Sequence, residues 1–352
     1  MKIKTAGCFV VFFFLFSSLL SQNDTIELGG IIGEKRSGLF DSDELLELTL
    51  RFDLTQFNRT KQLNDYQEAV MTYYLNGKDT VSRTVRIRAR GKFRRDFCDF
   101  PPIRLNLKKG ETPEDEFSNI DKIKLVTHCK AGNSEYVIRE YLTYKIFALF
   151  TDISFRVRLL RINYINTRRP GKPVTEYAFL IEPVELLTER TNTIEVKSEK
   201  LSQRQIRPEY IDRLAIFNYM IGNYDWAVPG QQNLVVLLQP GVDSEQFGIV
   251  APYDFDYSGL VNAPYALPPE TLPIKSVRQR MFRGICRDEE SYRKALNEFL
   301  EKQNAIYEVI DKCPYLKDGS KKDMKNYLGT FFRDFDKRNT IVNKLLNECQ
   351  KL

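Results

Sequence analysis

From Thr84 to Arg90 the chain alternates strictly, with Val85, Ile87 and Ala89 on one side and Arg86, Arg88 and Arg90 on the other. After Gly91 and a basic stretch (Lys92, Arg94, Arg95) the alternation resumes, Ile103, Leu105 and Leu107 against Arg104, Asn106 and Lys108. A period of two puts successive side chains on opposite faces of a strand, so each run has one apolar face that must be covered. Two such runs around a glycine-bearing break predict antiparallel sheet with a Gly/Arg loop, the three arginines of the first run forming a solvated strand face. Two further features extend the sheet toward the N-terminus. Leu45 to Asp53 alternates well enough for a strand, and the text from Tyr66 to Gly91 gives two strand-like runs parted by Asn76-Gly77-Lys78-Asp79. Asn-Gly is a strong hairpin signal, because both central residues of the favoured turn need positive φ.

The rear half changes period. Residues 110–119 are polar and acidic and predict a loop, and "IDKIKLVTH" reads as one more strand. Glu135 to Phe150 is helical, with Val137, Tyr141, Tyr144 and Ala148 on one face. "FRVRLLRINYIN" and "EYAFLIEPVE" read as a strand pair around the turn residues Arg168 to Lys172. Pro208 to Ile221 predicts a helix with proline near its start, and Glu289 to Leu352 is largely helical with breaks at Pro314 and Gly319. The fold class this implies is α+β: a β-rich N-terminal part with antiparallel sheet and a mainly helical C-terminal part.

Met1 to Lys4 is basic and Ala6 to Leu20 carries no charge, followed by Ser21. This is the three-part form of a secretory signal, cut near Ser21/Gln22. The apolar run, roughly 15 residues, is short against the ~20 of a helical span. An exported protein, periplasmic, cell-envelope or extracellular, with no membrane span after cleavage is therefore expected. The remainder is a globular composition, 42% apolar and 28% charged, which excludes disorder. A formal charge of +6, with the basic residues spread along the chain, does not suggest a nucleic-acid partner. Beyond the leader stand Cys98, Cys129, Cys286, Cys313 and Cys349. The number is odd, so at least one thiol is free or pairs between chains, and Cys98–Cys129 or Cys286–Cys313 are conceivable bridges. No two have the C-x-x-C spacing of a zinc ribbon. A single imidazole, His128, cannot build a His-rich zinc site and reads as structural or surface.

Chemistry concentrates between Ile221 and Gly259. A helix ends at Ile221 and a Gly-Asn turn presents Asp225; a loop with Pro229 and Gly230 leads to Asn233. Leu234 to Leu238 and Phe247 to Ala251 form a hairpin that delivers Asp254-Phe255-Asp256. Phosphoryl transfer needs such a set: one carboxylate to orient or deprotonate the attacking hydroxyl, an amide oxygen and a second carboxylate to hold Mg²⁺ against the phosphates.

Several segments resemble the spore-coat CotH kinase family, among protein-kinase-like folds. They are "RIRARGKFRRDF" leading to "PPIRLNL", "KLVTH" followed by "EYVIREYLTYKIF", "YAFLIEPVE", "GNYDWAVPGQQNL" and "PYDFDYSG", in that order over residues 84 to 260. The resemblance implies a two-lobed kinase-like fold. Its parts would be a signal peptide over 1–21, a β-rich region and the start of the front lobe over 22–118, the rest of the front lobe over 119–190, and a helical C-terminal lobe with the catalytic and metal loops over 191–352. It implies Asp225 as catalytic base, Asn233 as metal or phosphate ligand, and Asp254 as principal Mg²⁺ ligand with Asp256 a second candidate. Arg94, Arg104, Lys124 and Arg139 are the candidates for the nucleotide phosphates. The implied activity is Mg²⁺-dependent transfer of phosphate from ATP to a hydroxyl of a protein or envelope substrate. A kinase-shaped scaffold without catalysis, serving as an envelope or surface binding module, is the alternative. The chain departs from common protein kinases at four places, one being that Asp256 rather than glycine follows Asp254-Phe255. Gly222-Asn223-Tyr224 stands where His-Arg precedes the catalytic Asp, Asn233 lies eight residues on rather than five, and no G-x-G-x-x-G is present.

Overall fold

The alternating runs form strands, but the strands do not lie in a simple antiparallel sheet. They are β1 (Leu46–Phe52), β2 (Gln67–Leu75), β3 (Asp79–Ala89), β4 (Ile103–Asn106), β5 (Lys122–Val126), β6 (Val157–Asn166) and β7 (Val174–Ile181). In the computed structural model they close into a seven-stranded barrel in the order β1-β2-β3-β4-β5-β7-β6. The seam is parallel: β1 pairs with β6 from Leu46↔Leu160 to Phe52↔Asn166, while every other pairing around the barrel is antiparallel. The expected antiparallel sheet is thus corrected to a barrel, and closure removes the two edges that an open sheet would expose. The structure describes residues 38–75, 79–107, 116–169, 171–242, 245–336 and 340–351, so the expected leader and the Asn76-Gly77-Lys78 turn lie outside the described residues.

Alternation assigns each barrel residue to one of two cores. Leu48, Leu50, Met71, Tyr73, Val85, Ile87, Ile103, Leu105, Leu160 and Ile162 point inward and fill the barrel. On β6 and β7 the intervening residues, Val157, Leu159, Phe179 and Ile181, are apolar as well and pack outward. They meet α3 (Ser134–Phe147), which is buried on nearly every face between Val137 and Tyr144. This is why the strands near the helical part lose their polar face, and it joins the barrel to the rear half through one continuous core.

The rear half holds α4 (Val184–Thr191), α5 (Pro208–Ile221), α6 (Glu289–Asp311), α7 (Asp318–Asp336) and α8 (Thr340–Glu348). Beside them is a small antiparallel sheet in the order β10-β9-β8, formed by β8 (Ile194–Val196), β9 (Leu234–Leu238) and β10 (Gly248–Pro252). α5 has the expected bounds. Gly319 does not break the tail, because it lies in the first turn of α7, where a glycine costs little. Two short helices were unexpected: α1 (Leu54–Thr60), capped by Asp53, and α2 (Lys92–Phe97), which replaces the basic loop after Gly91. Cys98 is bonded to Cys129 and Cys286 to Cys349, so Cys349 rather than Cys313 is the partner of Cys286, and Cys313 is a buried free thiol. His128 is buried and stacks on Phe100 at 5.0 Å. No helix among the described residues is long and apolar enough to cross a membrane.

Candidate active site

The Asp225 loop is built by the end of α5. Gly222 takes the left-handed conformation (φ 67°) that stops the helix, and a Cβ there would lie 2.0 Å from the Tyr327 hydroxyl, so only glycine fits. Asn223 then turns the chain: its side-chain amide donates to Asn218 Oδ1 at 2.9 Å, and its Oδ1 accepts from the Asp225 backbone N–H at 3.0 Å. Trp226, 2% exposed, fixes the far side of the loop in the core. The paired backbone of Ala227 and Gln232 closes the loop, which brings Asn233 back to its origin. The Asn233 amide donates to the Asp225 carboxylate at 2.8 Å and to the Asp225 carbonyl at 2.7 Å, and the Gln232 amide donates to the other carboxylate oxygen.

The β9–β10 hairpin carries the chain from Asn233 to Asp254 and closes on itself, the Tyr253 N–H donating to the Asn233 carbonyl at 2.9 Å. Asp254, like Asn233, has positive φ (64°), and its N–H donates to the Tyr144 hydroxyl of α3 at 2.8 Å. Phe255 is fully buried against Tyr144 and Phe217 and anchors the residues on either side of it. Beyond it, the N–H groups of Gly259 and Leu260 donate to the carbonyls of Gly222 and Ile221, zipping this segment onto the end of α5. Asp225, Asn233 and Asp254 are therefore gathered by two loops tied to each other at both ends.

The cationic candidates divide. Lys124 and Arg104 are directly opposite on β5 and β4, and both line a cavity of about 520 Å³ whose other wall is the β7–α4 connection, including Ile181, Glu182, Pro183 and Glu185. Its size suits a small-molecule ligand. Two like charges set opposite each other across a strand pair are unfavourable by themselves, and an anion between them would relieve the repulsion. Burial and the neighbouring Arg90 and Arg104 hold the Lys124 ammonium down at about 8, although Asp254 acts to raise it. Its Nζ sits 4.2 Å over the Tyr253 ring. Arg94, on α2, pairs instead with the carboxylates: Nη2 to Asp254 Oδ1 at 2.7 Å and Nε to Asp256 Oδ2 at 3.2 Å. Arg139 turns to the opposite side of α3 and binds Asp323 of α7 at 2.8 Å and Glu135 at 3.0 Å.

The acidic groups are tuned apart. Burial and the nearby Asp254 raise the Asp225 carboxyl, against the bonds from Asn233 and Gln232. Burial would raise Asp254 too, but Arg94, Arg90 and Lys124 outweigh it and hold this carboxyl below its usual range. Asp256 is 4% exposed, also accepts from the Tyr265 hydroxyl at 3.0 Å, and is pushed up to about 7 by burial and by Asp254. Sequence reasoning missed two contributors. Glu140, 2% exposed on α3, lies in the same field and is raised well above normal by burial, its Oε1 without a hydrogen-bond partner. Arg90, read as part of a solvated face, acts on both Asp254 and Lys124. A charge at the end of an alternating run next to a glycine was the available signal for Arg90. Glu140 gave none beyond its place inside an apolar helix.

The donor set fits a hard divalent cation. Asp254 is ionised and 28% exposed at its side chain, and Asn233 spends its amide nitrogen on Asp225, which leaves its carbonyl oxygen. Among the described residues no three His, Cys, Asp or Glu side chains form a group that could hold a metal. Mg²⁺ does not require one, because it is usually bound through one or two carboxylates together with substrate phosphates and water.

No protein-family model matches the chain, and no curated protein matches it. Among solved structures it is similar to the crystal structure of a Helicobacter pylori proinflammatory kinase, CtkA, over 71% of this chain and 95% of that one, with 11% identity and a TM-score of 0.39.

Proposed function

We propose that the protein is an exported phosphotransferase that moves the terminal phosphoryl group of ATP to a hydroxyl of a protein or envelope component. The observation that carries this reading is the joining of Asp225, Asn233 and Asp254 by the Asn233 amide and the β9–β10 hairpin, with the two aspartates tuned in opposite directions. Asp225, whose carboxyl is raised and therefore more basic, accepts the proton of the attacking hydroxyl. The hydroxyl oxygen bonds to the terminal phosphorus as the bond to the bridging oxygen breaks, and ADP leaves. Asp254 and the Asn233 carbonyl oxygen would hold Mg²⁺, whose charge offsets that of the phosphates. Lys124, which feels the Asp254 charge, and Arg104 opposite it receive the phosphates, and Ile181, Val184 and Leu186 of the cavity that both line, which Asp225, Asn233 and Asp254 do not, offer a wall for the base. Export is supported by the apolar run Ala6 to Leu20 and by two disulfides, which persist in oxidising compartments.

The test is transfer of labelled terminal phosphate to a protein extract or to the chain itself, alongside thermal unfolding with and without Mg²⁺ and ATP. A ligand that binds only the native state raises its stability by mass action. Transfer that requires Asp225, with a stability shift that requires Asp254, is the expected result. Absence of both would leave the second reading, a kinase-shaped binding module. One observation favours that alternative: Arg94 already neutralises the carboxylates that a metal would use.

A further inference from the structure

Arg94 reaches Asp254 and Asp256 from the connection between β3 and β4, and its guanidinium is buried between them, 7% exposed. With Oδ1 of Asp254 held by a guanidinium at 2.7 Å, a cation is left the other oxygen of this carboxylate and is repelled by the positive charge beside it. The segment that delivers Arg94 is short and lies between two fixed points, β3, where the Arg90 N–H donates to the Pro102 carbonyl at 2.7 Å, and the Cys98–Cys129 bond. Its helix α2 has six residues, too few to be stable by themselves, and begins at Gly91 (φ 82°) with no side-chain cap. Lys92 and Phe93 are exposed, and Phe93 stacks on Phe97 at 5.3 Å and meets Tyr257 and Tyr265 at 6.0 and 6.2 Å. At the other end Cys98 is fully buried, bonded to Cys129, and packed with Tyr224 and Tyr265 in a small core. Both flanks are thus fixed, and α2 leaves the site only by rearranging between Gly91 and Cys98 and giving up its side-chain contacts, the Arg95 guanidinium on the Gln62 carbonyl and the Phe93 and Phe97 rings on Tyr265.

We propose that α2 is an autoinhibitory latch: Arg94 occupies Asp254 Oδ1 and Asp256, and a divalent cation binds Asp254 tightly when α2, between its fixed ends, withdraws Arg94 from the site. The inference rests on the reading of Asp254 as the metal ligand. It also makes the scaffold-like ion pairing one state of an enzyme rather than evidence against one. Release leaves Asp254 and Asp256 without their cation, so the incoming metal and the departing guanidinium are coupled, each weakening the other's hold on the same oxygens.

Two measurements on the full chain test it. The first is Mn²⁺ binding followed by electron paramagnetic resonance in the wild type, Arg94→Gln, Asp254→Asn and the double variant. Arg94→Gln should bind Mn²⁺ about tenfold more tightly or better, within the range of ordinary couplings between sites, and Asp254→Asn should remove that binding in either background. Equal binding by the wild type and Arg94→Gln, both dependent on Asp254, would overturn the latch and leave the metal site standing. Weaker binding by Arg94→Gln would likewise overturn it. Binding that ignores Asp254 in every variant would sink the metal-site reading and the latch together. The second measurement needs no substitution and so does not depend on a variant's folding: hydrogen exchange of the wild type with saturating Mn²⁺. The amides of residues 92–97 should exchange faster with metal, while those around Cys98 and Cys129 stay protected. Unchanged exchange in 92–97 at saturation would overturn the proposal.

Discussion

Asp225 and Asp254 stand on neighbouring loops and act on one another, yet they differ in the company they keep. Asp225 is held by neutral amides, from Asn233 and Gln232, whereas Asp254 faces the cations Arg94, Arg90 and Lys124. Amides orient a carboxylate without neutralising it, so burial and the neighbouring negative charge keep Asp225 raised. The cations overcome the same burial at Asp254 and keep it ionised. Environments that push paired carboxyl groups apart assign them different roles. A raised group is suited to take a proton, and a lowered, partly exposed one to hold a cation.

Substitutions that keep shape and remove charge break this comparison most sharply. Asp225→Asn should lower turnover by about 10²–10⁴-fold, the usual share of a general base, while the thermal shift with Mg²⁺ and ATP persists. Asp254→Asn should lose both the transfer and the Mg²⁺-dependent shift. If each variant lost binding and turnover together, the two aspartates would share one role and the division would fail. A smaller effect is expected at the opposed pair on β4 and β5. Lys124→Met or Arg104→Gln removes a charged hydrogen-bond donor, worth about 1.5–3 kcal/mol. The change should appear as roughly a tenfold or greater rise in the KM for ATP, with turnover less affected. An unchanged KM in both variants would place the phosphates elsewhere than the 520 Å³ cavity.

How much of this was legible beforehand depended on how local the determinant was. The order helix, Asp225, loop, Asn233, hairpin, Asp254 could be read directly, because Pro208, Gly222 and the Pro240-Gly241 turn punctuate it; α5 came out with its observed ends. Barrel closure could not be read. The parallel pairing of β1 with β6 joins segments with the whole of β2 to α3 between them, and nothing in either strand announces its partner. α2 was hidden because a six-residue helix is held by tertiary contacts rather than by its own propensity, so Lys92, Arg94 and Arg95 looked like an open basic loop. On α3, one residue changes the direction of a side chain by about 100°. Arg139 turns to Asp323, whereas Glu140, beside it in sequence, faces the field of Arg94 and the aspartates. Periodicity counted the apolar residues of that helix but could not show that both faces were covered.

Asn233→Ala tests the link between the two loops. It removes the amide that bonds both the carbonyl and the carboxylate of Asp225. About tenfold loss of turnover, smaller than for either aspartate, is expected if its main role is to orient Asp225, by the ~1.5–3 kcal/mol of a hydrogen bond to a charged group. Because that bond also lowers the Asp225 carboxyl, the acidic limb of the pH–rate profile should move to higher pH. A lower turnover with an unmoved profile would instead place Asn233 on the metal.

The smallest expected effect concerns Asp256, which shares Arg94 with Asp254 but sits with Asp225 in the direction of its shift. Its carboxyl is pushed up to about 7, against about 3.9 in an unfolded chain. Between those values the folded protein binds more protons than the unfolded one, so stability falls as pH rises. The contribution is fully present below about pH 4 and is lost as pH passes through about 7. Glu140 and Asp225 are raised and slope the same way, so only a difference isolates Asp256. Asp256→Asn keeps an acceptor for the Tyr265 hydroxyl and removes the titration. Urea unfolding of both proteins from pH 4.5 to 8 should show the wild type losing stability relative to the variant as pH rises. Parallel curves would mean that Asp256 stays ionised throughout, held by Arg94 as Asp254 is, and the boundary between the two kinds of carboxylate would move to leave Asp225 alone on its side.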